Sequence, residues 1–185
     1  MKALVVYESL FGNTRHIAEA VARGLGSRCQ VDIAEIEQAS YSAAGDADLL
    51  VVGGPTHMWG MSRQMTRMIA HCSTSQETIS RDRGVREWLA ALPASDGALA
   101  AAFDTHLAVN GREPVGSAAH GIASRLTALG YRLALPPQAF LVRDTYGPVL
   151  KGEVQHATHW GKQLAWHSGS GGEIPVARFG GQAAA

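Results

Sequence analysis

The sequence predicts an α/β sandwich in which a parallel sheet of five strands carries helices on both faces. Three observations lead there. Residues 3–7, 49–52 and 99–103 are short, almost wholly apolar runs, as expected of strands covered on both sides. Segments of helical periodicity alternate with such strands, the pattern of a parallel sheet. A small polar loop then joins the first run directly to a helical pattern.

Taken in order, residues 3–7 form the first strand. From Thr14, the residues Ile17, Ala18, Val21, Ala22 and Leu25 recur at helical spacing until Gly26 supplies a stop. Residues 30–36 alternate apolar and polar, as a half-exposed strand does. The third strand, 49–52, is ended sharply by Gly53, Gly54 and Pro55. Residues 84–92 place Val85, Trp88, Leu89 and Leu92 on one helical face, and 99–103 form the fourth strand. A helix over 117–129 repeats the pattern with Ile122, Leu126 and Leu129. The fifth strand starts near Tyr131 and continues around 140–142, interrupted by Pro136 and Pro137. A last helix over 152–166 closes a domain of residues 1–167. Trp88, Trp160 and Trp166 read as core or helix-packing residues. The polar stretch 72–83 reads as a surface excursion, and 168–185, rich in Gly, Ser and Ala, as a loosely held tail.

Bulk properties narrow the function classes. The 185 residues, 46% of them hydrophobic, fit one domain. Sixteen basic and sixteen acidic residues give zero formal charge without a block of either sign, which argues against nucleic acid as a partner. The opening MKALVV is too short an apolar run for a secretory core or a membrane span, so a cytoplasmic protein is expected. Cys29 and Cys72 lack C-x-x-C spacing and are expected as free thiols, with no metal site.

Ligands of open α/β sheets bind beyond the carboxyl ends of the strands, where the strand order reverses. Residues 8–14, 53–61 and 104–112 should meet there. In the first segment, backbone N–H groups at a helix start point at one spot, Ser9, Asn13 and Thr14 add side-chain donors, and Gly12 allows close approach. A phosphate monoester is the natural occupant. In the second, Met58 and Trp59 project soft and aromatic surface from a loop, which suits a flat ring. A triphosphate-binding loop would need Lys before Ser or Thr, where Arg15 follows Thr14. A phospho-receiver would need Asp at the end of the third strand, where Gly53 stands. Plainer readings stand beside these: Asn13 or Thr14 as an ordinary helix cap, Trp59 as buried packing, His57 and His106 as loop histidines, and Glu8 as a loop hydrogen-bond acceptor.

On these residues the chain resembles the flavodoxin-like FMN-binding proteins, over about residues 1–167. The family's phosphate loop, [ST]-x-[ST]-G-N-T, is matched by Ser9, Gly12, Asn13 and Thr14, while Phe11 replaces a hydroxyl residue. Its G-G-P strand end is matched by Gly53, Gly54 and Pro55. The resemblance implies a strand order 2-1-3-4-5 and FMN as cofactor. Ser9, Leu10, Phe11, Gly12, Asn13 and Thr14 would then hold the phosphate. Pro55, Thr56, His57, Met58, Trp59 and Gly60 would flank the ring, with Gly60 beside N5, and Asp104, Thr105 and His106 would face its pyrimidine edge. The third loop lacks the stacking Tyr that many flavodoxins place there. Residues 147–153 resemble a junction into the last helix that carries no direct chemistry. The implied activity is electron transfer between a reductase and an acceptor protein, by a monomer or weak homodimer with no catalytic side chain. The neutral charge implies a less negative potential than strongly acidic carriers have. An FMN-dependent NAD(P)H:quinone or flavin reductase, and a binding module with weak or no flavin, are the alternatives.

Overall fold

The computed structural model describes residues 1–72, 83–108 and 116–169. Its strands are β1 (Lys2–Tyr7), β2 (Gln30–Glu35), β3 (Leu49–His57), β4 (Gly60–Met61), β5 (Leu99–Leu107), β6 (Arg132–Leu133) and β7 (Gln138–Val142). Its helices are α1 (Asn13–Leu25), α2 (Tyr41–Gly45), α3 (Gln64–Cys72), α4 (Val85–Ala91), α5 (Ala118–Ala128) and α6 (Glu153–Gly169).

The parallel sheet runs β2-β1-β3-β5, and β6 and β7 pair in succession along the far side of β5. This is the expected order 2-1-3-4-5 with the fifth strand in two pieces. Pro136 and Pro137 lie between those pieces, where residues without an N–H cannot continue the ladder. A further two-residue strand, β4, turns back antiparallel onto β3. Among the described residues the sheet therefore has seven strands rather than the five expected.

The apolar runs are explained by two cores. Val5 and Val51 face α1 and α6, packing with Ile17, Val21, Trp160 and Leu164. Leu4, Val6, Leu50 and Val52 face the other way, onto Trp88, Ile122 and Leu126. Successive residues of a strand point to opposite faces, so a strand between two helix layers must be apolar at every position. At the sheet edge β2 is only half covered, and Ile33 is exposed. Trp88 is fully buried and donates its Nε1–H to the Ala39 carbonyl at 3.2 Å. Trp166 departs from the expected packing role. It is exposed, with the Arg28 guanidinium 4.4 Å above its ring.

β3 and β5 run beyond their apolar runs, because pairing continues through Gly53↔Phe103, Gly54↔Asp104 and Pro55↔Thr105 after the core-facing residues end. Helices α2 and α3 had no counterpart in the sequence reading. α6 runs through Gly169, so Ser168 and Gly169 are helical rather than tail, and 170–185 lie outside the described residues. Of the polar excursion, Cys72 ends α3 and Arg83 donates to the Ile36 carbonyl at 2.7 Å, while 73–82 lie outside the described residues. Because β1 pairs with β2 on one side and β3 on the other, the chain reverses its direction of progress between β1 and β3. The carboxyl ends of β1, β3 and β5 consequently surround one crevice.

Candidate functional site

The first wall is the turn from β1 into α1. Gly12 adopts the left-handed conformation, φ 87°, which lets the chain double back into the helix without a side-chain penalty. The Ser9 hydroxyl oxygen accepts from the amides of Gly12 at 3.1 Å and Arg15 at 3.3 Å, knotting the loop. The amides of Leu10, Phe11, Asn13 and Thr14 find no acceptor among the described residues. Four such donors beside the positive end of a helix form an anion cradle. The Thr14 hydroxyl, buried, bonds the Thr105 hydroxyl at 2.8 Å and ties this wall to β5.

The turn after β7 closes over the same loop. Asn13 Nδ2 donates to the Thr145 carbonyl at 3.2 Å, and the Phe11 ring meets Tyr146 edge to face with centroids 4.9 Å apart. Segment 147–153 was expected to carry no chemistry, yet its first residue abuts the cradle: a Cβ on Gly147 would lie 2.5 Å from Asn13 Oδ1. Phe11, which lacks the hydroxyl of the resembled motif, makes an aromatic contact instead.

The second wall is the β3–β4 hairpin. Met58 and Trp59 are its two loop residues, with φ of 45° and 69° between the paired His57 and Gly60. Positive φ at both central positions is type I′ geometry, which favours Asn-Gly and costs other residues about 1–2 kcal/mol each. The strain holds Met58 and Trp59 outward, 75% and 68% exposed, so Trp59 is not packing. Replacing the pair by Asn-Gly should raise stability by roughly 1–2 kcal/mol while weakening ligand binding at this wall, read by urea melts and ligand titration of the same variant. Unchanged ligand affinity would remove the hairpin tip from the site.

The third wall is the end of β5. Asp104 is fully buried; its Oδ2 accepts from the hydroxyls of Thr56 at 2.9 Å and Ser117 at 2.5 Å and from the Ala119 amide at 3.0 Å. Its Oδ1 sits 3.1 Å from Nδ1 of the buried His106. Burial alone would raise the carboxyl pKa, but His106, the Ala119 amide and Ser117 together hold it below the usual value. A fixed anion thereby orients both His106 and Thr56.

These walls enclose one cavity of about 350 Å³. Of the residues expected at the site, Leu10, Phe11, Asn13, Thr14, Pro55, Thr56, His57, Met58, Thr105 and His106 line it. Ser9 and Asp104 do not, because both are buried behind the wall they support. Gly12 has no side chain to contribute. Trp59 and Gly60 line a neighbouring cavity on the other side of the hairpin.

Residues 4–81 match the family model of a flavodoxin domain. A flavodoxin from Aquifex aeolicus is 38% identical over 68 residues, a match that spans 36% of this chain and 37% of that protein. The structure of a flavodoxin from the domain Archaea superposes with a TM-score of 0.64 at 22% identity, covering 91% of this chain and 99% of the other. Flavodoxin 2 from Bacillus cereus gives a TM-score of 0.66 at 17% identity, with 90% and 99% covered. The chain has a flavodoxin-like fold. In this flavodoxin-like protein the matched sequence includes the cradle and the hairpin but stops before β5, so Asp104 and His106 stand on the geometry alone. No helix among the described residues is long and apolar enough to cross a membrane.

The crevice of the flavodoxin-like chain also has parts that sequence reasoning missed. Thr66, Ile69 and Ala70 of α3 line the cavity, as do Leu107, Val142 and Thr145. Met65, Met68, Ile69 and Cys72 recur at helical spacing, a legible signal for α3. Beneath the hairpin, buried Arg67 places Nη1 2.9 Å from the Ser62 hydroxyl and 3.1 Å from the Glu87 carboxylate. Glu8 is buried beside them, accepting from the Val85 amide at 2.8 Å, and burial pushes its carboxyl pKa up. Its expected part as a loop hydrogen-bond acceptor agrees with this bond. Burial, and then the Arg67 charge, lower the His57 pKa below its ordinary value.

Proposed function

We propose that this chain binds FMN without a covalent link and passes electrons between a reductase and an acceptor. One observation carries the reading: a mostly apolar cavity of about 350 Å³ ends at a loop with four backbone donors that have no acceptor among the described residues. That is the shape of a flat ring tethered by a phosphate, and the similarity to flavodoxins supports FMN over other flat phosphates. The Leu10, Phe11, Asn13 and Thr14 amides would hold the phosphate, while Pro55, His57 and Met58 would exclude water from one ring face. His106, fixed by Asp104, would present a positioned imidazole at the ring's edge. Bound FMN supplies the redox chemistry, accepting and releasing one or two electrons. The chain's own part is to bind, orient and tune.

Stopped-flow mixing of the FMN-loaded protein with NADH or NADPH alone tests the carrier role. Persistence of the oxidised flavin band is expected, followed by rapid bleaching once a flavodoxin reductase is added. Bleaching by NAD(P)H alone would make the protein a reductase in its own right.

A further inference from the structure

A second cavity of about 500 Å³ lies beside the first and shares His57, Met58 and Thr66 with it. Its remaining apolar walls are Trp59, Met61 and Met65. Trp59 and Met65 are 68% and 67% exposed, and the apolar surface continues along α3 through Met68. Thioethers and an indole make an adaptable surface for a flat apolar body.

The polar part of this cavity is cationic. Arg63 and Arg86 both line it. Arg86 is steadied by two backbone carbonyls, Ser62 at 3.3 Å and Met61 at 3.1 Å. Among the described residues no carboxylate lies within ion-pair distance of either guanidinium. The nearby acid Glu87 is already committed to Arg67 and to the Gly84 amide. Two guanidinium groups without a carboxylate partner among the described residues, beside an apolar wall, match a ligand that is flat and apolar on one side and anionic on the other.

We propose that this second cavity binds a planar, apolar small molecule bearing a carboxylate or sulfonate, held against Trp59 and Met65 with its anion between Arg63 and Arg86. The ligand would lie across the hairpin from the first cavity, without sharing its anion cradle. The site goes beyond the electron-carrier reading and does not depend on it.

Calorimetric titration of the full chain, with and without saturating FMN, tests the proposal, using anthraquinone-2-sulfonate and the neutral 2-(hydroxymethyl)anthraquinone as probes. The sulfonate should bind about tenfold more tightly than the neutral probe, with or without FMN. Arg86→Gln and Arg63→Gln should each remove most of that preference, and Trp59→Ala should weaken both probes. All three side chains are exposed, so the variants should melt like the wild type. Equal affinity for the two probes would overturn the proposal, as would an Arg86→Gln variant that keeps the preference. Displacement of the sulfonate by FMN would also overturn it, because the ligand would then occupy the first cavity. Failure of FMN to bind while the sulfonate binds would instead count against the proposed flavin function alone.

Discussion

Gly161→Ala is expected to destabilise the fold by roughly 2–3 kcal/mol, although alanine favours an isolated helix by about 1 kcal/mol over glycine. α1 and α6 cross with their backbones nearly in contact. A Cβ on Gly161 would lie 2.3 Å from the Val21 carbonyl oxygen and 3.1 Å from the Gly24 Cα, and one on Gly24 would lie 2.2 Å from the Thr158 carbonyl oxygen. These neighbours are backbone atoms, with no flexible side chain to swing aside, so a helix must shift. Such a shift would open the core that α6 closes with Trp160 and Leu164 against Val5 and Phe103. Because the two effects have opposite signs, the urea midpoint decides between them. A midpoint at or above the wild-type value would mean that the helices do not pack this closely.

Asp104→Ala is expected to cost about 3–5 kcal/mol, the range for breaking a buried charged network. It would leave the Thr56 and Ser117 hydroxyls and the Ala119 amide without their common acceptor, and His106 without its anion. Asp104→Asn should cost less, because an amide oxygen can keep the three Oδ2 contacts. The two variants separate packing from charge through their pH dependence. With its folded pKa held below its unfolded one, Asp104 binds fewer protons when folded, so it contributes full stability above about pH 4. That contribution is lost as pH falls through the folded pKa. Wild-type stability should therefore drop below about pH 4 along a steeper limb than that of Asp104→Asn, measured by urea melts at stepped pH. Parallel acid limbs would show that the carboxylate is not what holds this wall.

Much of this was legible in the sequence, for physical reasons that differ from place to place. The strands of both cores announced themselves because a doubly covered strand has no polar position, and Gly12 announced the cradle because few other residues turn that way before a helix. The ends of β3 and β5 did not, since Gly53–Pro55 pair with Phe103–Thr105 as strand although Gly, Pro and polar residues read as a turn. Thr145 and Tyr146 were hidden because their contacts with Asn13 and Phe11 join segments more than 130 residues apart, a closure that no local pattern encodes. Trp59 was readable as exposed but not as lying across the hairpin from the cradle. Its direction is set by two positive φ angles that its residue type disfavours.

In the proposed function, the cradle at Leu10–Thr14 grips the phosphate of a flavin whose ring fills the adjoining cavity. Titration of the full chain with FMN and with riboflavin, followed by quenching of flavin fluorescence, isolates that grip, since the two ligands differ only in the phosphate. FMN should bind at least about 100-fold more tightly than riboflavin, near 2.7 kcal/mol, as expected for several hydrogen bonds to a charged group. Equal affinities for the two, or no quenching by either, would contradict it.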